Sequence, residues 1–215
     1  MHNFAAILFD MDGVIVDSEP VHERAFREVF AQMGYGENHG IDFPHYYGRS
    51  DRALWLDFVG LHQPPWSLEE LTEWKQRRFL EIIRHEQPIF AGLPELIEKL
   101  SVSYKLAVAS GSFHPVIDEV LAMRNLRQFF PVVVSVQDVA RGKPAPDVFL
   151  RAAQLLGVEP HRCCVIEDSA AGVEAALRAE MAVIAITNSL SAERLERATR
   201  VVESYAQIER LLLDA

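Results

Sequence analysis

The chain has 215 residues, of which 49% are hydrophobic and 24% are charged. This length and balance suit one globular domain, or a core with a modest inserted domain, and argue against an intrinsically disordered chain. The 21 basic and 31 acidic residues give a formal net charge of -10, which opposes non-specific binding to nucleic acids or anionic membranes. We therefore expect no nucleic-acid or membrane partner, and an anionic substrate would need positive charge supplied by its own site.

The cysteines are two neighbours, Cys163 and Cys164, so a disulfide framework is excluded. They lie in an apolar run in which strand alternation points their side chains to opposite faces. Two buried thiols fit a reducing compartment. No stretch approaches the roughly 18 apolar residues of a membrane span, and no basic segment precedes a long apolar run at the N-terminus. We expect a cytoplasmic protein.

Five short apolar runs recur along the chain and predict a parallel sheet that is covered on both faces. The runs are Ala5–Phe9, Leu106–Ala109, Val132–Val136, Cys163–Ile166 and Val183–Ile186. Amphipathic segments of helical length separate the later runs; one begins after Pro146 and stops at Gly157, and another begins near Ser169. The alternation of strand and helix predicts a doubly wound α/β core.

The first run ends in two carboxylates, Asp10 and Asp12, followed by Gly13. Carboxylates at the end of a buried strand need a compensating partner, because burial of an unpaired charge is costly. Asp-Gly between hydrophobic residues is also a strong hairpin signal, and Ile15-Val16 could form the return strand. These residues alone leave a catalytic pair and a hairpin turn as open alternatives.

The segment from about Asp17 to Gln87 contains no strand pattern and is dominated by two long helical patterns. One places Val21, Phe26 and Phe30 on a single face, and the other does so with Leu71 and Phe79. A length of about 70 residues far exceeds an ordinary strand-to-helix connection. The sequence therefore predicts a helical domain over residues 17–87, inserted into a core formed by residues 1–16 and 88–215.

Polar groups also follow the second and third runs. Ser110, Gly111 and Ser112 end the second run, where a hydroxyl and free backbone amides could hold an anion. Lys143 precedes the proline-rich start of the helix after Pro146. Taken singly, an ordinary polar loop and a solvated lysine explain both features.

The fourth run ends in Glu167, Asp168 and Ser169, which could simply cap the following helix. In an open α/β sheet, however, functional groups gather at the carboxyl ends of strands near a topological switch point. Three runs end in polar groups of a suitable kind, and Lys143 stands close to them in the chain. In combination, these signals favour an active site over four unrelated loops.

This combination of motifs resembles the haloacid dehalogenase-like hydrolase superfamily, in the branch of β-phosphoglucomutase and many sugar-phosphate phosphatases. The matching pieces are Asp10–Val14, Ser110, Lys143–Asp147 and Glu167–Gly172, which span most of the chain. The resemblance implies a Rossmann-like core whose first strand is central, between the second and the fourth. It also implies that the helical insertion is a mobile cap.

The resemblance further implies a magnesium-dependent phosphomonoester hydrolase that forms an aspartyl phosphate on Asp10. Asp12 would protonate the leaving oxygen and later accept a proton from water. The implied protein ligands of Mg²⁺ are an Asp10 carboxylate oxygen, the Asp12 backbone carbonyl and the Asp168 carboxylate. Glu167 would lie behind these ligands or bind the ion through water.

Contacts to the substrate are implied in the same way. Ser110, Gly111 and Lys143 would hold the transferring phosphoryl group, and Lys143 would also offset the crowded carboxylates. Residues of the first cap helix, of a glycine-containing cap loop and of the second long cap helix would select the leaving group. In this sequence they are His22, Arg49, Arg52 and Lys75.

The cap loop departs from the pattern of β-phosphoglucomutase. That pattern is glycine, any residue, serine, arginine, whereas here Arg49 directly follows Gly48. The departure favours a phosphatase that acts on a small phosphorylated metabolite, a sugar phosphate above all. We expect a monomer. A hexose-phosphate mutase is the alternative.

Other classes fit the sequence less well. A dehalogenase has no need of an acid at Asp12, and a phosphonate-cleaving relative needs a cap lysine on a different helix from that of Lys75. A signalling receiver domain also uses an aspartate, a hydroxyl and a lysine, but the helical insertion and the Asp12-Gly13 step argue against it. A non-catalytic binding module would have lost an acidic group or Lys143, and all of them are present.

Overall fold

The computed structural model describes residues 4–46 and 51–214. The chain forms two compact units, Met1–Asp17 with Ile89–Ala215, and Ser18–Pro88. We call them the sheet unit and the helical unit. The sequence predicts domain boundaries after residues 16 and 87, and each boundary of the structure lies one residue further along the chain.

Six strands and eight α-helices are present in the described parts of the chain. In chain order they are β1 (Ala6–Phe9), α1 (Glu19–Gln32), α2 (Asp51–His62), α3 (Leu68–Glu86), α4 (Leu93–Ser103), β2 (Lys105–Ala109), α5 (His114–Ala122), β3 (Val132–Val134), α6 (Asp147–Leu156), β4 (Cys163–Glu167), α7 (Ala170–Arg178), β5 (Ala182–Ile186), β6 (Arg200–Val202) and α8 (Tyr205–Leu213).

The strands form one parallel sheet in the order β3-β2-β1-β4-β5-β6. Strand β1 is central, with Leu8 opposite Ala107 of β2 and opposite Val165 of β4. The predicted parallel sheet and the central position of the first strand are therefore confirmed. Strand β6 was not predicted, because its three residues, Arg-Val-Val, are too short to give an apolar run.

Helices cover both faces of the sheet. Alternate strand residues such as Leu8 and Val165 share one cluster with residues of α6 and α7, including Phe149 and Val173. The intervening strand residues are equally buried and point to the other face. Helix α4 contacts both β2 and α8. The doubly wound α/β core is confirmed.

The hairpin that the Asp12-Gly13 step left as an alternative does not form. The Met11 carbonyl accepts the backbone amides of Val14, Ile15 and Val16 in a tight turn, and Val16 makes single bridges instead of a return strand. The third strand also ends two residues earlier than predicted, at Val134. The reason is that Ser135 and Asp138 form a capping box, which starts a short 3-10 turn.

The helical unit packs α1 against α3, and α2 against α3. Its core is an aromatic cluster that includes Phe26, Phe30, Trp55 and Phe58. A complete capping box between Ser67 and Glu70 starts α3. The two long helical patterns in the sequence correspond to α1 and α3.

Cys163 and Cys164 are free and buried, as their place in an apolar strand predicted. Burial raises the pKa of both thiols, to about 11 and about 12 respectively. Across residues 4–46 and 51–214, no helix has the length and apolar character needed to cross a membrane.

Candidate active site

The carboxyl end of the central strand carries the predicted nucleophile. Asp10 directly follows β1, and its backbone amide donates to the Ile166 carbonyl of β4 at 3.0 Å. Its side chain is only 9% exposed. In this strand order the connections leave the sheet in opposite directions on the two sides of β1, which is the place where ligands bind in doubly wound sheets.

Lys143 brings positive charge to this position. Its ammonium donates to Asp10 Oδ1 at 2.5 Å and to Glu167 Oε1 at 2.7 Å. It also lies over the Phe149 ring, 4.8 Å from the ring centroid, and the side chain is 11% exposed. The lysine is therefore a nearly buried partner of two carboxylates and not a solvated surface charge.

Glu167 is fully buried and joins the lysine to the start of α7. While Oε1 accepts from Lys143, Oε2 accepts from the backbone amides of Asp168 and Ser169 at 2.8 and 2.7 Å. A Cβ on Gly172 would lie 1.6 Å from Glu167 Oε1. Only glycine at this position leaves room for the carboxylate over the helix N-terminus, where it satisfies amides that have no helical partner.

Three buried carboxylates converge at the carboxyl ends of β1 and β4. Oxygen atoms of Asp10, Glu167 and Asp168 all lie within 4.8 Å of one another. Within residues 4–46 and 51–214, one ammonium, that of Lys143, is bonded to members of this cluster, so negative charge is left over in a buried place. A hard divalent cation with a preference for oxygen ligands fits this donor set.

The pKa values reflect the burial of these groups and their excess of negative charge. Burial above all, and then the charges of Glu167 and Asp12, raise the pKa of Asp10 to about 7, although Lys143 acts in the opposite direction. Burial and the charges of Glu167 and Asp10 also raise the pKa of Asp168 well above its ordinary value. Although burial opposes it, the charges of Asp10 and Glu167 raise the pKa of Lys143, which therefore stays protonated.

Asp12 is connected to the loop that follows β2. Ser112 Oγ donates to Asp12 Oδ2 at 2.7 Å, and the Ser112 amide donates to Ser110 Oγ at 2.9 Å. Ser110 is fully buried, whereas Gly111 is exposed, with open space beside its Cα. The hydroxyl of Ser110 and the backbone at Gly111 thus lie in the same loop that contacts Asp12.

The helical unit holds the other predicted site residues. Lys75 is fully buried, and its ammonium donates to Asp51 Oδ2 at 2.6 Å, contacts His22 Nδ1, and lies over the rings of Phe26 and Phe79. The His22 ring is stacked on the Phe79 ring.

The remaining two predicted cap residues are arginines. Arg52 is the second residue of α2 and is exposed. Arg49 lies outside the described residues. The role of all four cap residues in substrate binding stays a prediction.

Sequence reasoning missed several residues that hold the site together. Ser112 was visible beside Ser110, but a second serine in a polar loop gives no signal of its own. Ser189 Oγ donates to Asp168 Oδ2, and Asp51 binds Lys75. Both contacts join residues more than twenty positions apart, so local spacing could not reveal them.

Comparison with known proteins agrees with the fold. The sequence profile of the haloacid dehalogenase-like hydrolases matches residues 4–180. The fructose-1-phosphate phosphatase YqaB of Escherichia coli K12 is 32% identical, over 83% of this chain and 94% of its own. Hexitol phosphatase B of the same organism is also 32% identical, over 84% of this chain and 82% of its own.

A solved structure shows the same similarity in three dimensions. The β-phosphoglucomutase of Clostridium difficile superimposes with a TM-score of 0.78 at 26% identity, covering 95% of this chain and 93% of that one. The parallel sheet, the acidic cluster at its carboxyl edge and the profile match together define the class. The chain belongs to the haloacid dehalogenase-like hydrolases.

The raised pKa of Asp10 leads to a prediction about stability without metal. In chelator, and at pH values above the pKa of Asp10, we expect Asp10→Asn to melt at a higher temperature than the wild type. The difference should be at least about 2–4 °C, which is the shift that about 1 kcal/mol produces in a chain of this size. Because the folded pKa is raised from 3.8 to about 7, the wild type loses stability as the pH rises through this range. The gain should therefore grow between these two pH values and be absent below 3.8.

Thermal melts across pH measure this effect, and Asp118→Asn is the matched control. Asp118 is an exposed carboxylate on α5, so its replacement should leave the melting temperature nearly unchanged. A lower melting temperature of Asp10→Asn at every pH would show that the bond to Lys143 outweighs the cost of burial.

A second prediction concerns Gly172. Alanine normally stabilises a helix by ~1 kcal/mol relative to glycine, and Gly60→Ala in α2, where the space beside the Cα is open, should follow this rule. Gly172→Ala should instead displace Glu167, lower the melting temperature and abolish turnover. Normal activity of Gly172→Ala would contradict a requirement for Glu167 in its observed position.

Proposed function

We propose that this protein is a magnesium-dependent phosphomonoester hydrolase that transfers the phosphoryl group of a sugar phosphate to Asp10 and then to water. The observation that carries the proposal is the nearly buried Lys143 ammonium, bonded to Asp10 and Glu167 beside the Asp168 carboxylate. Phosphoryl transfer depends mainly on positioning and on neutralising negative charge, and this arrangement supplies both.

Asp10 is proposed as the nucleophile. The end of the central strand and the bond to Lys143 hold its carboxylate in one orientation, and attack on phosphorus forms an acyl phosphate while the bond to the leaving oxygen breaks. Water then cleaves the acyl phosphate and restores the carboxylate. The pKa of Asp10 is raised. A cation beside it would lower this pKa and so favour the ionised carboxylate that attacks.

Asp12 is proposed as the general acid and base. It is two residues from the nucleophile, and Ser112 Oγ fixes its Oδ2 atom by donating a hydrogen bond. In the first step Asp12 gives its proton to the leaving oxygen, and in the second step it takes a proton from the attacking water.

Mg²⁺, when bound, offsets the negative charge of both the nucleophile and the transferring phosphoryl group. The carboxylates of Asp10 and Asp168 and the backbone carbonyl of Asp12 would hold it, with Glu167 behind them. The Ser110 hydroxyl, the backbone at Gly111 and the Lys143 ammonium would hold the oxygens of the phosphoryl group.

The helical unit is proposed as the cap that selects the leaving group, through His22, Arg52, Arg49 and Lys75. The state of Lys75 favours a phosphatase, because its ammonium is already bonded to the Asp51 carboxylate. A mutase must grip a second phosphate of a bisphosphate, and a lysine whose charge is offset is poorly suited to that task. Two relatives are named as phosphatases, of fructose 1-phosphate and of hexitol phosphates, which supports the same choice.

A hexose-phosphate mutase is the second candidate, because the structure of a β-phosphoglucomutase is similar over most of both chains. The two activities share formation of the phosphoaspartate and differ in the acceptor of the second step. The acceptor is water in a phosphatase and a sugar-phosphate hydroxyl in a mutase.

A panel of sugar and polyol phosphates distinguishes the two activities. We expect the purified protein with Mg²⁺ to release inorganic phosphate from at least one of them, and chelator to stop the release. Fast interconversion of β-glucose 1-phosphate and glucose 6-phosphate, primed by a bisphosphate and with little phosphate released, would replace the hydrolase by the mutase.

The covalent step can be measured in the same experiment. A substrate with labelled phosphate should leave hydroxylamine-sensitive label on acid-quenched wild type and on the Asp118→Asn control, and none on Asp10→Asn. Label on Asp10→Asn, or turnover by a verified preparation of it, would exclude Asp10 as the nucleophile.

The role of Asp12 gives a prediction that depends on the leaving group. Asp12→Asn keeps a side-chain oxygen that can accept from Ser112 but has no proton to give. We expect kcat/KM, which reports the step that releases the leaving group, to fall about 10²–10⁴-fold for sugar phosphates and much less for 4-nitrophenyl phosphate, whose leaving group needs no protonation. Equal losses in kcat/KM on both substrates would mean that Asp12 does not act as the acid.

A further inference from the structure

The segment that follows β5 reaches back to both loops of the proposed metal site. Asn188 Nδ2 donates to the Gly13 carbonyl at 2.7 Å, and the neighbouring Ser189 Oγ donates to Asp168 Oδ2. Tyr205, the first residue of α8, donates its hydroxyl to the Val14 carbonyl at 2.7 Å. None of the three contacting side chains belongs to the motifs that mark the active site.

These side chains also contact one another. Asn188 Nδ2 lies 2.9 Å from the Tyr205 hydroxyl oxygen, so that hydroxyl accepts from Asn188 while it donates to Val14. Burial raises the pKa of the Tyr205 phenol, which keeps its proton for this bond. Asn188 is exposed, whereas Ser189 and Tyr205 are partly buried. We call Asn188, Ser189 and Tyr205 the brace.

The brace completes the hydrogen bonding of the turn after Asp12. The peptide unit between Asp12 and Gly13 is fixed through the Gly13 amide, which donates to the Val16 carbonyl at 2.9 Å. The Gly13 and Val14 carbonyls are the next two acceptors along the chain, and the brace supplies a donor to each. With three successive peptide units held, the direction of the Asp12 carbonyl is fixed as well.

Close packing joins the two loops at the same place. Gly13 has a positive φ of 72°, and a Cβ there would lie 1.8 Å from Asp168 Oδ2 and 2.7 Å from Ser189 Oγ. The backbone of the first loop therefore lies directly against the bonded pair of Asp168 and Ser189. Because Ser189 occupies Oδ2, it also sets which oxygen of Asp168 is left for a cation.

We propose that the brace positions the metal ligands: Asn188 and Tyr205 hold the turn that carries the Asp12 carbonyl, and Ser189 orients the Asp168 carboxylate. This inference rests on the proposed magnesium site, but it concerns residues outside that site. Residues that orient metal ligands typically change metal affinity about 10- to 100-fold when they are removed. Loss of the brace should therefore weaken Mg²⁺ binding while leaving the chemistry at Asp10 intact.

The test measures Mg²⁺ binding without substrate, by calorimetry and by the rise in melting temperature that the ion produces. We expect Tyr205→Phe and Ser189→Ala to raise the dissociation constant for Mg²⁺ by about 10- to 100-fold. In turnover assays the Mg²⁺ requirement should rise by the same factor, and kcat at saturating Mg²⁺ should recover towards the wild-type value. Ser189→Thr keeps the hydroxyl and should restore affinity.

Two matched controls separate positioning from general stability. Tyr104→Phe removes a similar phenol-to-carbonyl bond, from Tyr104 to Leu212 at the other end of α8. Ser191→Ala removes a hydroxyl two residues beyond Ser189, where no side-chain cap bond is made. Both controls should leave the Mg²⁺ dissociation constant unchanged, even if Tyr104→Phe lowers the melting temperature.

The outcomes distinguish failure of the inference from failure of the proposed function. If the wild type binds no Mg²⁺, the proposed function fails. If the wild type binds Mg²⁺ and the brace variants bind it equally well, or if Tyr104→Phe weakens binding as much as Tyr205→Phe, only the brace is refuted. If Tyr205→Phe does not fold, Ser189→Ala and its threonine rescue decide the matter.

Discussion

Lys143 holds Asp10 and Glu167 together at the carboxyl edge of the sheet, and the rest of the site is arranged around this contact. A carboxylate at the end of a buried central strand is costly unless a partner is supplied. One ammonium serves both carboxylates here, while Glu167 also accepts two backbone amides at the start of α7. The lysine thus connects β1 to β4 and the helix after it.

The contact leaves an excess of negative charge at this edge of the sheet. Lys143 bonds two of the three carboxylates, and burial together with the charges of the neighbouring carboxylates raises the pKa values of Asp10 and Asp168. Folded proteins typically keep such unfavourable local interactions only at functional sites. A divalent cation and a phosphoryl group together would balance the site, because the cation offsets the carboxylates and the lysine then faces the phosphoryl oxygens.

The sequence allowed prediction of those parts whose signal is local. Continuous apolar runs mark β1, β2, β4 and β5, because strands buried on both faces leave no polar alternation. The motif residues at the strand ends were equally visible, since Asp10 and Ser110 directly follow β1 and β2, and Glu167 and Asp168 lie at the end of β4.

What escaped prediction depends on contacts between distant parts of the chain. Strand β6 is three residues long and lies at the edge of the sheet, where it pairs with β5. Tyr205 contacts Val14 across 191 positions, and Asn188 contacts Gly13 across 175. Asparagine, serine and tyrosine are common polar residues, so nothing in their local surroundings separates such a contact from an ordinary surface position.

The two lysines that the sequence singled out show why residue type alone does not give function. Both ammonium groups are withdrawn from solvent and both lie over aromatic rings. Lys75 meets the Asp51 carboxylate and the His22 ring, so its charge is offset within the helical unit. Lys143 instead meets two members of a group of three carboxylates. Among the described residues, the surplus negative charge is found beside Lys143 and not beside Lys75. This surplus supports the proposal that the cation and the nucleophile act at the sheet edge, whereas the role proposed for Lys75 is selection of the leaving group.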